Sequence, residues 1–224
     1  MQSLVGQPVG AYAFYLEAKI HVKRPHIKLR SYLHSFEPKQ VIAISALIDD
    51  LDDIRNQHSG YRLYVYELQG CLSYGLLLAA VSVSTGMLEL FIRDMCIAYR
   101  VASLHGGDMS MRGRIEREIE KDPTISFQKM LKELELFAVV DFKDIKDLTN
   151  FYSQTRVPFA HALVLRMTSS PSEIDDDFFL DYFGGEARGH NLEDRLEQRA
   201  IKDVQFTVRI IQKYLPWLNR RYNL

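Results

Sequence analysis

From Leu68 to Leu88 the chain carries no charged residue across 21 consecutive positions. That is long enough to cross a bilayer as one helix, so this run constrains the fold more than any other feature. Gln69, Ser73, Ser82, Ser84 and Thr85 are scattered through it beside Gly70, Gly75 and Gly86. The amphipathic pattern continues beyond it through Glu89, Arg93 and Asp94. No second stretch of this kind exists, so the run reads as a buried central helical segment and no membrane partner is expected. The chain's 224 residues, 47% of them hydrophobic, are enough to surround such a segment with a core.

The flanking periods set the fold class. Tyr12, Phe14, Leu16, Ala18, Ile20 and Val22 alternate with Tyr15, Glu17, Lys19, His21 and Lys23, the period of a half-buried strand that Pro25 ends. From Pro38 the period becomes helical, with Val41, Ile44, Ala46 or Leu47, Ile48, Leu51 and Ile54 on one face and Gly60 closing the helix. A long helical region follows from about 63 to 104, with a possible break near Gly70 or Gly75 and a stop at Gly106 and Gly107. Residues 112–121 alternate in sign as a solvated helix does. Ser126 is placed to cap a helix bearing Phe127, Met130, Leu131 and Leu134, and Phe142, Ile145, Leu148 and Tyr152 carry the spacing on from Asp141. A last helix spans about 192–215, with Leu196, Ala200, Val204, Val208, Ile211 and Leu215 inside. The expected architecture is mainly α: a helical bundle over 37–224 with a small N-terminal β element within 1–36.

Charge narrows the function classes. Lys and Arg total 28 against 29 Asp and Glu, which argues against a uniformly basic nucleic-acid coat. The charges are segregated, however. Lys19, Lys23, Arg24, Lys28 and Arg30 fall in a stretch without acids, either an RNA-backbone track or an edge strand protected by lysine. An insertion over 171–190 holds Glu173, Asp175, Asp176, Asp177, Asp181 and Glu186 among Phe178, Phe179, Tyr182 and Phe183. It reads as a short amphipathic helix, or as a cap or partner contact. Two cysteines, Cys71 and Cys96, cannot build a disulfide framework, so a reducing cytoplasm is the expected compartment. His21, His26 and His34 lack metal-ligand spacing, and no metal or cofactor is expected.

The segment richest in chemistry is Asn150-Phe-Tyr-Ser-Gln-Thr-Arg156-Val-Pro-Phe-Ala-His161, at the junction of two helical patterns. In one unbroken helix, residues five apart would point about 140° from each other. Pro158 disfavours helix at Val157, and a restart there lets Arg156 and His161 converge on one ligand. The pair suits phosphoryl transfer. A histidine moves protons near neutral pH, and an arginine remains charged and binds phosphate oxygens. The bland reading is an arginine closing one helix and a core histidine.

This Arg-x4-His motif, lying between amphipathic helices, resembles the hallmark of the HEPN superfamily. Leu78-Ala-Ala-Val-Ser-Val-Ser-Thr-Gly-Met-Leu-Glu89 is similar to the small-residue-rich helix of many such domains. The resemblance spans roughly 38–218 and implies a HEPN-like helical bundle. It further implies a metal-independent endoribonuclease, with Arg156 and His161 as its catalytic pair. Toxin or antiviral roles, an antitoxin or other protein partner, and a homodimer whose two pairs share one cleft are also implied. Val157 departs from the polar residue usual after the arginine, and Pro158 is atypical as well. Relatives without catalysis serve as binding or assembly modules for a nucleotide or protein. Glu89 has two candidate partners, Arg93 one turn on and Arg156 across the bundle; the nearer is the stronger expectation.

Overall fold

The uncharged run is two helices rather than one. In the computed structural model, which describes residues 38–122, 124–156 and 192–222, α2 (Arg62–Ser73) ends inside the run and α3 (Leu77–Leu104) begins there. Gly75 makes the corner with φ 68°, a left-handed conformation that costs glycine little. The amide of Gly75 donates to Leu72 O at 3.1 Å and that of Leu76 to Cys71 O at 2.8 Å, using carbonyls the ending helix leaves free. Gly70, the other candidate break, lies within α2. Among the described residues, no helix is long and apolar enough to cross a membrane.

The polar members of the run find local partners. Ser84 Oγ donates to Val81 O at 2.9 Å and Thr85 Oγ1 to Ser82 O at 2.8 Å. Buried Gln69 donates to Ile48 O and to Asp52 Oδ1, each at 3.0 Å, tying α2 to α1 (Pro38–Gln57). These bonds offset part of the cost of placing the groups in a core, although Gln69 Oε1 is buried without a hydrogen-bond partner.

α3 is the central element, packed by α2, by α4 (Arg112–Lys121), by α5 (Phe127–Leu136) and by α7 (Leu192–Tyr222). Its residues Met87, Leu88, Phe91, Ile92 and Met95 are essentially inaccessible. Truncating a side chain such as Phe91 to alanine would cost about 3–5 kcal/mol. Arg100 joins α3 to α5 by a two-pronged pair with Glu133, at 2.7 and 2.6 Å. The sign-alternating helix is α4, which buries only Ile115 and Ile119, against Ile97 and Val101 of α3. Ser126 caps α5 as expected, accepting from Lys129 N at 3.3 Å.

Two boundaries differ from expectation. α1 ends at Gln57, before Gly60, because His58 begins a separate 3₁₀ turn over Ser59–Tyr61. α7 runs past Leu215 and through Pro216 to Tyr222. Pro216 is exposed, so the site of its missing amide lies on the outer face, while Leu218 and Tyr222 stay buried on the inner one. Ala200, Val204, Val208, Ile211 and Leu215 form the inner stripe as expected, while the side chain of Leu196, also expected there, lies outside the described residues. The described residues are mainly helical and contain no strand; the expected β element over 1–36 and the 171–190 insertion lie outside them.

Candidate functional site

The Arg-x4-His segment begins where α6 (Phe142–Phe151) gives way to a π-helical turn, Tyr152–Arg156. A π turn, with its i→i+5 bonds, is wider than an α turn and rare. Here Thr155 holds it. Thr155 is fully buried, and its hydroxyl donates to Asp203 Oδ2 of α7 at 3.1 Å. Arg199, one turn before Asp203, donates to Asp203 Oδ1 at 3.1 Å and reaches Thr155 Oγ1 at 3.4 Å. Asp203 is 5% exposed, so its charge depends on these partners. Phe151 stacks on Phe206 with ring centroids 4.8 Å apart, adding an apolar clamp beside the polar one.

On the other side of the turn, Tyr152 lies parallel to Phe127, with centroids 4.8 Å apart and planes 7° apart. The two rings help line a groove of about 450 Å³, together with Tyr64, Glu89, Arg93 and Ser126. Gly86 sets the position of the Tyr64 ring: a Cβ there would stand 3.3 Å from Tyr64 Cε1, tighter than an ordinary contact. Glu89 thus shares a groove with the residue that opens the π turn. Arg93 pairs with Glu120 of α4 at 3.4 Å instead of with Glu89, since α4 packs against this stretch of α3 and brings its carboxylate across. The expected Glu89–Arg93 pair is therefore not formed.

Arg156 is the last residue of the π turn, so the irregularity expected at the helix junction begins before the proline. His161 lies outside the described residues, as do Lys19, Lys23, Arg24, Lys28 and Arg30. Sequence reasoning did not anticipate Thr155, Arg199 or Asp203. A signal existed for one of them: Asp203 is an acid flanked by Ala200, Val204 and Thr207, all fully buried. A carboxylate in that sector of an apolar stripe needs a buried partner.

A second polar knot braces α6 against α7 at the far end of α6. Lys213 donates to Asp141 and Asp144, both at 2.6 Å, and Tyr214 donates to Asp144 at 2.6 Å. Burial opposes ionisation of Asp144, but the hydrogen bonds from Lys213 and Tyr214 outweigh it and hold the carboxyl below its ordinary range. The knot ties the first turn of α6 to α7.

Against protein-family models, curated proteins and solved structures, the chain shows no match.

Proposed function

We propose that the protein is a metal-independent endoribonuclease of HEPN type acting through Arg156 and His161. The observation that carries the reading is the π turn ending at Arg156, pinned by the buried Thr155–Asp203 hydrogen bond. π turns are rare within helices and often mark functional positions. In the proposed reaction the 2′-hydroxyl of the substrate attacks the adjacent phosphorus. His161 takes the hydroxyl proton and returns one to the departing 5′ oxygen, leaving a 2′,3′-cyclic phosphate and a 5′-hydroxyl. Arg156 offsets the charge that develops on the phosphate oxygens. A homodimer would bring two such pairs to one cleft, and the basic Lys19–Arg30 stretch would track the RNA backbone. A toxin or antiviral role in the cytoplasm, with an antitoxin or other protein partner, belongs to the same reading.

The second reading is a non-catalytic binding or assembly module for a nucleotide or protein partner. Val157 favours it, standing where relatives carry a polar residue that orients the pair. Single-stranded RNA incubated with the wild type, Arg156→Ala and His161→Ala in chelator separates the two. Cleavage by the wild type alone supports the nuclease. Equal cleavage by all three removes these residues from the role, and no cleavage by any of them favours the module.

A further inference from the structure

The corner between α1 and α2 contains a buried histidine that accepts a backbone amide at Nδ1. His58 is 7% exposed. Its Nδ1 accepts the Gly60 amide at 3.1 Å, capping the Ser59–Tyr61 turn. Accepting at Nδ1 requires a lone pair there, so the neutral ring carries its proton on Nε2. That Nε2 is buried without a hydrogen-bond partner among the described residues. Gly60 cannot readily be exchanged, because a Cβ on it would stand 2.8 Å from His58 Cε1.

Two tyrosines lie against the ring. Tyr61 lies 4.8 Å from it, centroid to centroid, and Tyr222, at the end of α7, lies at 6.4 Å. Tyr61 donates to Asp94 Oδ2 of α3 at 2.7 Å, and Tyr222 donates to Asp94 O at 3.2 Å. Arg112 of α4 stands 3.8 Å from Asp94 Oδ1 and 4.4 Å over the Tyr222 ring. The charged groups facing the imidazole are therefore Asp94, which would welcome a proton on it, and Arg112, which would not; Glu116 acts on Tyr222 from α4. Tyr61 and Tyr222 are both held protonated by burial and by Asp94.

We propose that His58 is a pH-sensitive latch that holds the last turn of α7 against the α1–α2 corner while it is neutral and releases it when protonated. A proton arriving at Nδ1 displaces the Gly60 amide from its acceptor and places a cation on a ring that is largely buried. Asp94 can offset only part of this, because Tyr61 and Arg112 already engage its carboxylate. Relief comes from hydrating the imidazolium, which requires the Ser59–Tyr61 turn and the Tyr222 ring to separate. Burial lowers the affinity of His58 for a proton, Asp94 raises it and Arg112 lowers it, with burial dominant. Release therefore comes below the ordinary histidine range of about 6.5. The latch is independent of any activity at Arg156.

Site-resolved NMR of the whole chain between about pH 7.5 and pH 4.5 tests this, following the His58 ring and the amide exchange of Gly60 and residues 218–222. Expected are a His58 midpoint below the ordinary value and, at the same midpoint, at least about tenfold faster exchange at those amides, corrected for intrinsic pH dependence. Trp217, the chain's one tryptophan, lies in α7 five residues before Tyr222 and should change emission in step. His58→Asn keeps an acceptor for the Gly60 amide but cannot titrate; its exchange and emission should stay flat. Opening with the same midpoint in His58→Asn would overturn the proposal. So would His58 titrating in the wild type without a change at Gly60 and Tyr222, which decides the matter even if the variant does not fold.

Discussion

The hydroxyl of Thr155 donates to the carboxylate of Asp203 across 48 residues of sequence, joining the π turn before Arg156 to the middle of α7. Removing the threonine hydroxyl takes one hydrogen bond from a buried carboxylate that keeps its pair with Arg199, the costly direction for such a bond. Thr155→Val should cost about 1–3 kcal/mol and Asp203→Ala at least as much, because Asp203 also holds Arg199. Urea denaturation measures both. If the proposed nuclease is right, Thr155→Val should also lower kcat more than it raises KM, because the turn positions Arg156 rather than binding substrate.

The Asp144 knot gives a pH dependence with a definite sign. Its carboxyl is held below the ordinary range in the folded state. Its contribution to stability is therefore full above the unfolded value of about 3.9 and is lost as pH falls through the folded one. Lys213→Met should reduce stability near neutrality and flatten its decline at acid pH. Thermal melts of wild type and variant from about pH 6 to pH 2 measure this, and parallel curves would contradict the assignment. Tyr214, whose hydroxyl is pushed up to about 12 by burial and by its bond to Asp144, should ionise at higher pH than an exposed tyrosine, which the difference between ultraviolet titrations of the wild type and Tyr214→Phe reads.

Ala138 has φ 51°, in the left-handed region, where it closes α5 as its amide bonds to Glu135 O at 3.0 Å. An alanine there bears a strain that glycine does not. Ala138→Gly should stabilise the fold by about 0.5–1 kcal/mol after the entropy lost to glycine, measurable as an upward shift in Tm.

The cysteines should be poor nucleophiles in the folded protein. Burial raises the Cys96 thiol far above its usual range, with Glu133 adding to the effect and Arg100 opposing it. Burial and Glu67 also raise half-buried Cys71. Labelling with a thiol-reactive dye should be slow for both under native conditions, slowest for Cys96, and rapid once the chain is unfolded.

The helical part of the fold was legible because α1, α3, α5 and α7 advertise their buried faces through spacing, and Ser126, Gly75 and Gly106 through their cap and turn chemistry. The end of α1 was misplaced because His58, three residues into an apolar-poor stretch, uses its side chain as a cap, a role histidine seldom signals. The end of α7 was misplaced because a proline stops a helix by default, and only tertiary packing of Leu218 and Tyr222 carries the helix beyond it. At the candidate site the sequence pointed to the junction and to Arg156. It did not disclose Thr155, whose importance comes from a residue 48 positions away. Nor did it disclose that Arg93 would turn to Glu120, since that choice depends on how α4 docks.

The most direct measurement of the central claim is the identity of the RNA ends produced in chelator by the wild type, Arg156→Ala and His161→Ala, all confirmed folded by circular dichroism. Expected are 2′,3′-cyclic phosphate and 5′-hydroxyl ends from the wild type, with cleavage reduced at least about a hundredfold in both variants. Undiminished cleavage by either folded variant, or no cleavage by the wild type, would contradict it.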